Sequence, residues 1–215
     1  MITIKQFVFS PIQENTYVVS DEQGDCCIID PGCYFGNERN ELKEFIQENG
    51  LVPKYLLNTH CHLDHVFGNK FVHDTWGLTL HLHEKEKVML DNSPTFAISW
   101  GLPFDGYEGP LVYLREGEVI RLGKHQFSVL FTPGHSPGHV CFYCKEQGFV
   151  VSGDVLFRRS IGRTDLPFGD FDILAQSIRE QLYTLPDETI VYNGHGPETT
   201  IGYEKLHNEY VPALA

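Results

Sequence analysis

The stretch NTHCHLDHVFGN, residues 58–69, places three histidines and an aspartate within six consecutive positions. His60 and His62 are two residues apart, so in an extended segment their side chains point the same way and could bind one ion together. Asp64 and His65 follow where the chain turns towards a helix, and they could face a second ion. Imidazole and carboxylate are common ligands of zinc, so the stretch predicts a metal site.

Two metal ions need more ligands than this stretch supplies, because a catalytic zinc takes about three protein ligands and a water. Three further candidates share one context, an apolar strand followed by a turn that contains glycine. They are His135 in FTPGHSPGH, Asp154 in FVVSGD and His195 in VYNGHG. Because each follows a predicted strand, we expect the three side chains to meet at one edge of a sheet.

The remainder of the chain alternates short apolar runs with turn signals. The predicted strands are 2–9, 15–20, 25–30, 54–58, 78–82, 127–131, 149–152 and 189–193, and the predicted helices are 37–49, 84–90, 171–183 and 201–209. A further short helix is expected after His65. Two halves that each mix strands and helices predict an α/β fold with a sheet-on-sheet core and outer helices, a four-layer αββα sandwich.

The length of the chain predicts a single domain over residues 1–215. Residues 92–110, NSPTFAISWGLPFDGYEGP, differ in character, with proline, glycine and aromatic residues and no clear period. We predict an aromatic loop or flap there. Its residues either fold back on the core or cover the substrate.

Composition excludes several classes of function. The net charge of −13 disfavours binding to nucleic acid or to anionic membranes, which requires clustered basic residues. The N-terminus lacks the pattern of a signal peptide, and no apolar run approaches the ~20 residues of a membrane helix. Six cysteines are too few for a disulfide scaffold. These features predict a cytoplasmic protein with reduced thiols.

The ordered motifs THCHLDH, TPGHSPGH, SGD and NGHG resemble those of the metallo-β-lactamase superfamily over nearly the whole chain. This resemblance implies a site for two divalent metal ions, with zinc expected and iron or manganese as alternatives. It implies the following ligands: His60, His62 and His135 for the first ion, Asp64, His65 and His195 for the second, and Asp154 as the bridge. It also implies that Asp64 orients the attacking water.

Within the superfamily, the segment DVLFRRSIGRTDLPFGD, residues 154–170, is similar to the short bacterial glyoxalase II-like proteins. The implied activity is hydrolysis of a thioester, such as a hydroxyacylglutathione, by a hydroxide that the metals generate. The same segment resembles persulfide dioxygenases, in which one iron would use His60, His135 and Asp154. A third interpretation is a metal-binding module without catalysis. The sequence does not indicate the oligomeric state.

Two basic residues are candidates for contact with an anionic substrate. Arg163 either contacts a substrate carboxylate or forms a salt bridge with Asp165 that braces the loop. Lys145 is a second basic candidate. His139, in the same motif as His135, is expected to support the site or the turn and not to bind metal.

Overall fold

In the computed structural model, which describes residues 1–213, the chain divides into two units that each build on a six-stranded sheet. The first unit comprises residues 1–114 and 121–125. The second comprises residues 115–120 and the described residues from 126 onward. The second sheet belongs to the second unit except for the tip of one hairpin, residues 121–125.

The first sheet has its strands in sequence order. They are β1 (Thr3–Phe9), β2 (Glu14–Ser20), β3 (Asp25–Ile29), β4 (Val52–Leu57), β5 (Leu80–His83) and β6 (Leu111–Leu114). The first three strands pair antiparallel, and β3 to β6 pair parallel. The carboxyl ends of β3, β4 and β5 therefore share one edge of the sheet, where the chain after each strand can meet its neighbours.

Helices connect the parallel strands of this unit, as such crossovers require. They are α1 (Gly36–Glu48), α2 (Leu63–Val66), α3 (Asn69–Trp76) and α4 (Lys87–Ser99). The buried residues of α1, Leu42 and Ile46, lie one turn apart and pack into the apolar core of the unit with Ile28 and Leu56. The short helix expected after His65 is α3, and the single turn of α2, which contains His65, precedes it.

The prediction that residues 92–110 form a loop is wrong for their first part, which lies in α4. Pro94 sits inside this helix and cannot donate a hydrogen bond to the carbonyl of Leu90. The hydroxyl of Ser93 donates to that carbonyl at 2.8 Å instead, so the helix continues. Beyond the helix, Phe104 packs edge-on against Phe67 with ring centroids 4.9 Å apart. That part of the segment folds back on its own unit.

The second sheet has the order β14-β13-β10-β9-β8-β7. Its strands are β7 (Val119–Leu122), β8 (His125–Phe131), β9 (Val140–Cys144), β10 (Phe149–Gly153), β13 (Ile190–Asn193) and β14 (Thr199–Thr200). Strand β10 is parallel to β13 and antiparallel to β9, which is antiparallel to β8. The strands β8, β10 and β13 thus run in the same direction and end at the same edge.

A small hairpin and two helices complete the second unit. The hairpin joins β11 (Leu156–Phe157) to β12 (Ser160–Ile161). Helix α5 (Phe171–Ser177) continues into a π-helical turn, Ile178–Leu182, and α6 (Ile201–His207) follows β14. Within residues 1–213, none of the helices combines the length and the apolar character that a bilayer crossing requires.

Candidate metal centre

In the first unit, three parallel strands deliver polar side chains to one edge. Asp30 follows β3, the segment from Asn58 to His60 follows β4, and Glu86 follows β5 by three residues. Backbone hydrogen bonds hold the strand ends in register, from Asp30 N–H to Leu57 O and from Asn58 N–H to His81 O, both at 2.9 Å. Strand pairing therefore brings together residues that are far apart in the sequence.

Asp30 is the centre of this edge. Its carboxylate is buried and accepts hydrogen bonds from the backbone N–H of Thr59 at 2.7 Å and from the Thr59 hydroxyl at 2.6 Å. It also accepts from Asn58 Nδ2 at 3.2 Å and lies 3.1 Å from His65 Nδ1. Its backbone has φ 48°, a left-handed conformation that is uncommon outside glycine. Such strain is tolerated where the surroundings determine the conformation.

These contacts determine which ring nitrogens of His60 and His65 face the candidate site. Because the carboxylate of Asp30 only accepts, His65 Nδ1 carries the proton and His65 Nε2 is left as a lone-pair donor. The Thr59 hydroxyl donates to Asp30, so its oxygen accepts from His60 Nδ1 at 3.1 Å. Both histidines therefore present Nε2, the arrangement in which a metal-binding histidine is held from behind.

The predicted ligands of the first unit lie close to one another. The ring centroids of His60 and His65 are 4.1 Å apart, and those of His60 and His62 are 4.8 Å apart. Asp64 Oδ2 lies 3.7 Å from His65 Nε2, and the Asp64 side chain is nearly buried. Ligand atoms of His60, His65 and Asp30 lie within 4.8 Å of one another, a spacing that could hold a metal ion, although Asp30 itself contacts His65 through Nδ1.

Two buried glutamates support this cluster, and neither was predicted from the sequence. Glu86 Oε2 accepts a hydrogen bond at 2.7 Å from the backbone N–H of Cys61, the residue between His60 and His62. Glu14 is fully buried, and its Oε1 lies 3.9 Å from His65 Nδ1. Burial raises the pKa of Glu14 well above its usual value, and the nearby His65 opposes this shift.

Sequence reasoning missed Asp30, Glu14 and Glu86 because no local pattern distinguishes them from ordinary charged residues. Asp30 is the last residue of the predicted strand 25–30, and the Pro31 and Gly32 that follow it are typical of an ordinary turn. Glu14 lies next to the predicted strand 15–20 and Glu86 lies inside the predicted helix 84–90, and neither belongs to a recognisable motif. The available signal was a charged residue beside a strand whose other residues are apolar, and that signal is common at ordinary turns.

In the second unit, two histidines lie close to the carboxylate of Asp154. His135 Nε2 and His195 Nε2 each lie 3.5 Å from Asp154 Oδ2. These residues follow β8, β10 and β13, the three strands that end at the same edge. The expectation that they meet at one edge is confirmed.

His139 supports Asp154 from behind. Its Nε2 accepts a hydrogen bond from the backbone N–H of Asp154 at 3.1 Å, so its proton lies on Nδ1, 3.1 Å from the hydroxyl of Thr132. His139 is fully buried. Its Nε2 is therefore engaged by the backbone, as expected for a supporting residue.

The loop after β12 holds His135. The backbone carbonyl of Arg163 accepts a hydrogen bond from His135 Nδ1 at 2.7 Å, which directs His135 Nε2 towards Asp154. Gly162 makes this approach possible. A Cβ atom at Gly162 would lie 1.9 Å from the backbone oxygen of Asp154 and 2.9 Å from His135 Nδ1. No larger residue fits without moving the site.

The two basic candidates for substrate binding have different outcomes. The Arg163 side chain forms a two-point ion pair with Asp165, at 2.8 and 2.7 Å, and it is exposed. The hydrogen bonds from Arg163 lower the pKa of Asp165 to about 2. Lys145 follows the carboxyl end of β9, which pairs with the start of β10 and so lies at the opposite end of the sheet from Asp154. The assignment of Lys145 to the site is wrong.

The candidate ligands in the two units are of residue types that bind divalent metals. His60, His65 and His135 all have Nδ1 hydrogen-bonded to an oxygen acceptor, and all present Nε2. Nitrogen and carboxylate donors of this kind suit zinc, iron and manganese. Neutral imidazoles held in one tautomer are also the form that binds metal.

The chain is similar in sequence to known proteins of one family. The family model described as "Metallo-beta-lactamase superfamily" matches residues 10–195. The chain is 40% identical over 203 residues to the probable metallo-hydrolase YqgX of Bacillus subtilis, covering 94% of this chain and 93% of that protein. It is 39% identical over 205 residues to hydroxyacylglutathione hydrolase GloC of Haemophilus influenzae, covering 93% of each.

Solved structures with the same fold include three similar proteins. BLEG-1, a B3 metallo-β-lactamase, has a TM-score of 0.88 at 38% identity, covering 97% of this chain and 99% of its own. TTHA1623 in a di-iron-bound form has a TM-score of 0.87 at 39% identity, covering 96% and 99%. ETHE1 from Myxococcus xanthus has a TM-score of 0.79 at 28% identity, covering 97% and 84%. The predicted fold class is confirmed.

Proposed function

Because the chain belongs to the metallo-β-lactamase superfamily, we propose that the ligands implied by its motifs bind two divalent metal ions and that the protein hydrolyses a thioester. The observation that carries this proposal is the convergence of His135 and His195 on one oxygen of Asp154. A carboxylate that two imidazoles approach from separate loops has the chemistry of a bridging ligand.

The proposed ligands are those that the motifs imply. They are His60, His62 and His135 for one ion, Asp64, His65 and His195 for the other, and Asp154 for both. When bound, such ions act as Lewis acids and lower the pKa of water towards ~7. Zinc is the proposed metal, with iron or manganese as alternatives, and the di-iron form of TTHA1623 supports iron in a relative.

The residues of the chain orient the reaction. In this proposal Asp64, which is nearly buried beside His65, orients the attacking water. Asp30 and the Arg163 carbonyl hold the imidazoles from behind, so that the ligands are fixed before substrate arrives. A thioester is a suitable substrate for this set of residues because its thiolate leaving group departs without a strong general acid.

The proposed substrate is a hydroxyacylglutathione. The similarity to hydroxyacylglutathione hydrolase GloC supports this choice. The exposed guanidinium of Arg163 is paired with Asp165, so contact with a glutathione carboxylate requires that this pair opens. The six cysteines are free and buried, which supports our proposal that the protein acts in the reducing cytoplasm.

A second candidate is oxygenation of a persulfide by one iron, using His60, His135 and Asp154 as a facial triad. The 3.5 Å approach of His135 to Asp154 favours it, because that pair supplies two of the three ligands. In this case, Asp64 and His65 hold no metal.

One experiment separates these proposals. The protein is purified without oxygen, its metals are counted, and hydrolysis of lactoylglutathione and oxygen uptake with glutathione persulfide are measured on the same sample. Two ions per chain with hydrolysis support the first proposal, and one iron with oxygen uptake supports the second. Two ions without turnover of any thioester overturn the hydrolase and leave the metal-binding module.

Matched variants test the ligands in the same assay. We expect His195→Ala to lose one ion and most of the hydrolysis. His207→Ala, at the end of α6 and outside the proposed ligand set, should keep both. Equal metal content in the two variants would contradict the assignment of His195.

A further inference from the structure

Phe168 has a backbone conformation that its side chain does not favour. The N–H of Gly169 donates to the carbonyl of Leu166 at 2.9 Å and closes a four-residue turn with Pro167 and Phe168 at its centre. Phe168 has φ 68°. A turn with proline first and positive φ second normally has glycine or asparagine at the second place, because a Cβ is strained there.

The glycine of this turn cannot relieve the strain, because close packing requires it one position later. A Cβ at Gly169 would lie 2.4 Å from the backbone oxygen of Thr164. The strained position is occupied by a large aromatic residue, Phe168. Strain of this kind clusters at functional sites, and an observed outlier is the starting point for an inference of function.

Phe168 is not part of the core, since the residue is 59% exposed. Phe171 and Ile173, in the first turn of α5, are each 44% exposed, so three apolar side chains face solvent within six residues. An exposed apolar group that costs backbone strain does not stabilise the fold. It is better explained by contact with a bound molecule.

The loop that displays Phe168 is tied at both ends to the turn that carries His135. Its start accepts a hydrogen bond through the carbonyl of Arg163, at 2.7 Å from His135 Nδ1. Its end donates from the N–H of Asp170 to the carbonyl of Gly134, also at 2.7 Å. Phe168 is two residues from Asp170, and two residues span less than about 8 Å. Phe168 therefore lies in a short loop whose two ends contact the turn that carries His135.

We propose that Phe168 is a specificity-determining residue that contacts an apolar acyl group of the substrate. This inference rests on the proposed thioester hydrolysis and specifies its substrate class, thioesters whose acyl group is apolar. The bound acyl group covers the ring that is exposed in the free protein. The strain of the turn is the cost of displaying that ring.

The main test is Phe168→Gly in the metal-loaded protein. Glycine relieves the strain, so we expect the melting temperature to rise by about 2–4 °C. We expect kcat/KM for phenylacetyl-glutathione to fall about tenfold, the usual scale for losing one apolar contact, while that for lactoylglutathione changes less than twofold. Phe168→Asn, which tolerates the same backbone, should show the same loss of selectivity.

A matched control relieves strain elsewhere. Gln13 also has a left-handed backbone, with φ 60°, in the turn that it closes by donating to the carbonyl of Ser10. We expect Gln13→Gly to raise the melting temperature without changing the ratio of the two kcat/KM values. An unchanged ratio in both Phe168 variants, or a lower melting temperature for Phe168→Gly, overturns the proposal.

A binding measurement tests the apolar site independently of the proposed hydrolysis. Calorimetric titration of the metal-loaded protein with phenylacetate and with acetate requires no turnover. If the wild type cleaves no thioester but binds phenylacetate about tenfold more tightly than Phe168→Gly does, the hydrolase is wrong and the apolar site stands. If both proteins bind the two acids equally, the site is wrong whatever the activity.

Discussion

Replacing Gly162 by alanine tests whether the loop after β12 sets the position of His135. The added Cβ would lie 1.9 Å from the backbone oxygen of Asp154, and real Cβ contacts essentially never fall under 3.0 Å. The obstacle is backbone and not a flexible side chain, so the loop or Asp154 must move by about 1 Å. The second obstacle, His135 Nδ1 at 2.9 Å, is the atom that the Arg163 carbonyl holds.

The expected magnitude follows from these two contacts. Overpacking of a fixed site costs about 1–3 kcal/mol, which lowers the melting temperature of a chain of this size by about 2–12 °C. Loss of the hydrogen bond that orients a metal ligand weakens metal binding by about 10–100-fold. Both effects should appear together, because one displacement causes them.

The assay compares Gly162→Ala with Gly36→Ala. Gly36 begins α1, and a Cβ there meets nothing within 4 Å, so this variant adds the same methyl group to open space. Melting curves are recorded with and without metal, and metal content is measured after dialysis against a competing chelator. The reasoning is refuted if the two variants retain equal metal and melt at equal temperatures.

Further predictions address the surrounding residues. Asp30→Asn should destabilise the protein by about 3–5 kcal/mol in urea denaturation, because buried donors, including the Thr59 hydroxyl, lose their carboxylate partner. Burial raises the pKa of Glu14. The contribution of this carboxyl to the stability of the folded protein is therefore fully present below the usual pKa of 4.5 and is lost as the pH rises through the folded pKa. Glu14→Gln should therefore melt above the wild type at pH 8 without metal, with a gap that closes towards pH 4. Arg163→Ala should keep its metal and its melting temperature, because the backbone carbonyl remains and the lost ion pair with Asp165 is exposed. Removing metal with a chelator should lower the melting temperature, by the equivalent of about 4 kcal/mol if metal was present at 1,000 times its Kd.

Local patterns were enough for most elements. Alternation in residues 2–9 and the apolar run in residues 54–58 predicted β1 and β4 to within two residues, because burial of one face or of both is encoded in the order of side chains. Helix α4 was predicted only in part, as residues 84–90. Pro94 signals a break, and its compensation by Ser93 is a contact that composition does not reveal.

The sequence by itself determined the kind of chemistry. Histidines spaced by two residues, and His135, Asp154 and His195 after apolar strands, predict metal ligands, because donor type and strand position are local properties. The assignment of each ligand to a particular ion stays a prediction that rests on the resemblance.

Only the tertiary structure decided what holds those ligands. Asp30 reaches Thr59 and His65 because β3 and β4 pair in parallel, and the order in which strands pair is not written in local periodicity. In the second sheet, the antiparallel pairing of β9 with β10 places Lys145 at the end opposite Asp154, although Lys145 lies ten residues from His135 in the chain. A metal ligand can be recognised in the sequence by its residue type. The residue that holds it depends on the tertiary structure, since hydrogen bonds of 2.6–3.1 Å require residues distant in sequence to meet.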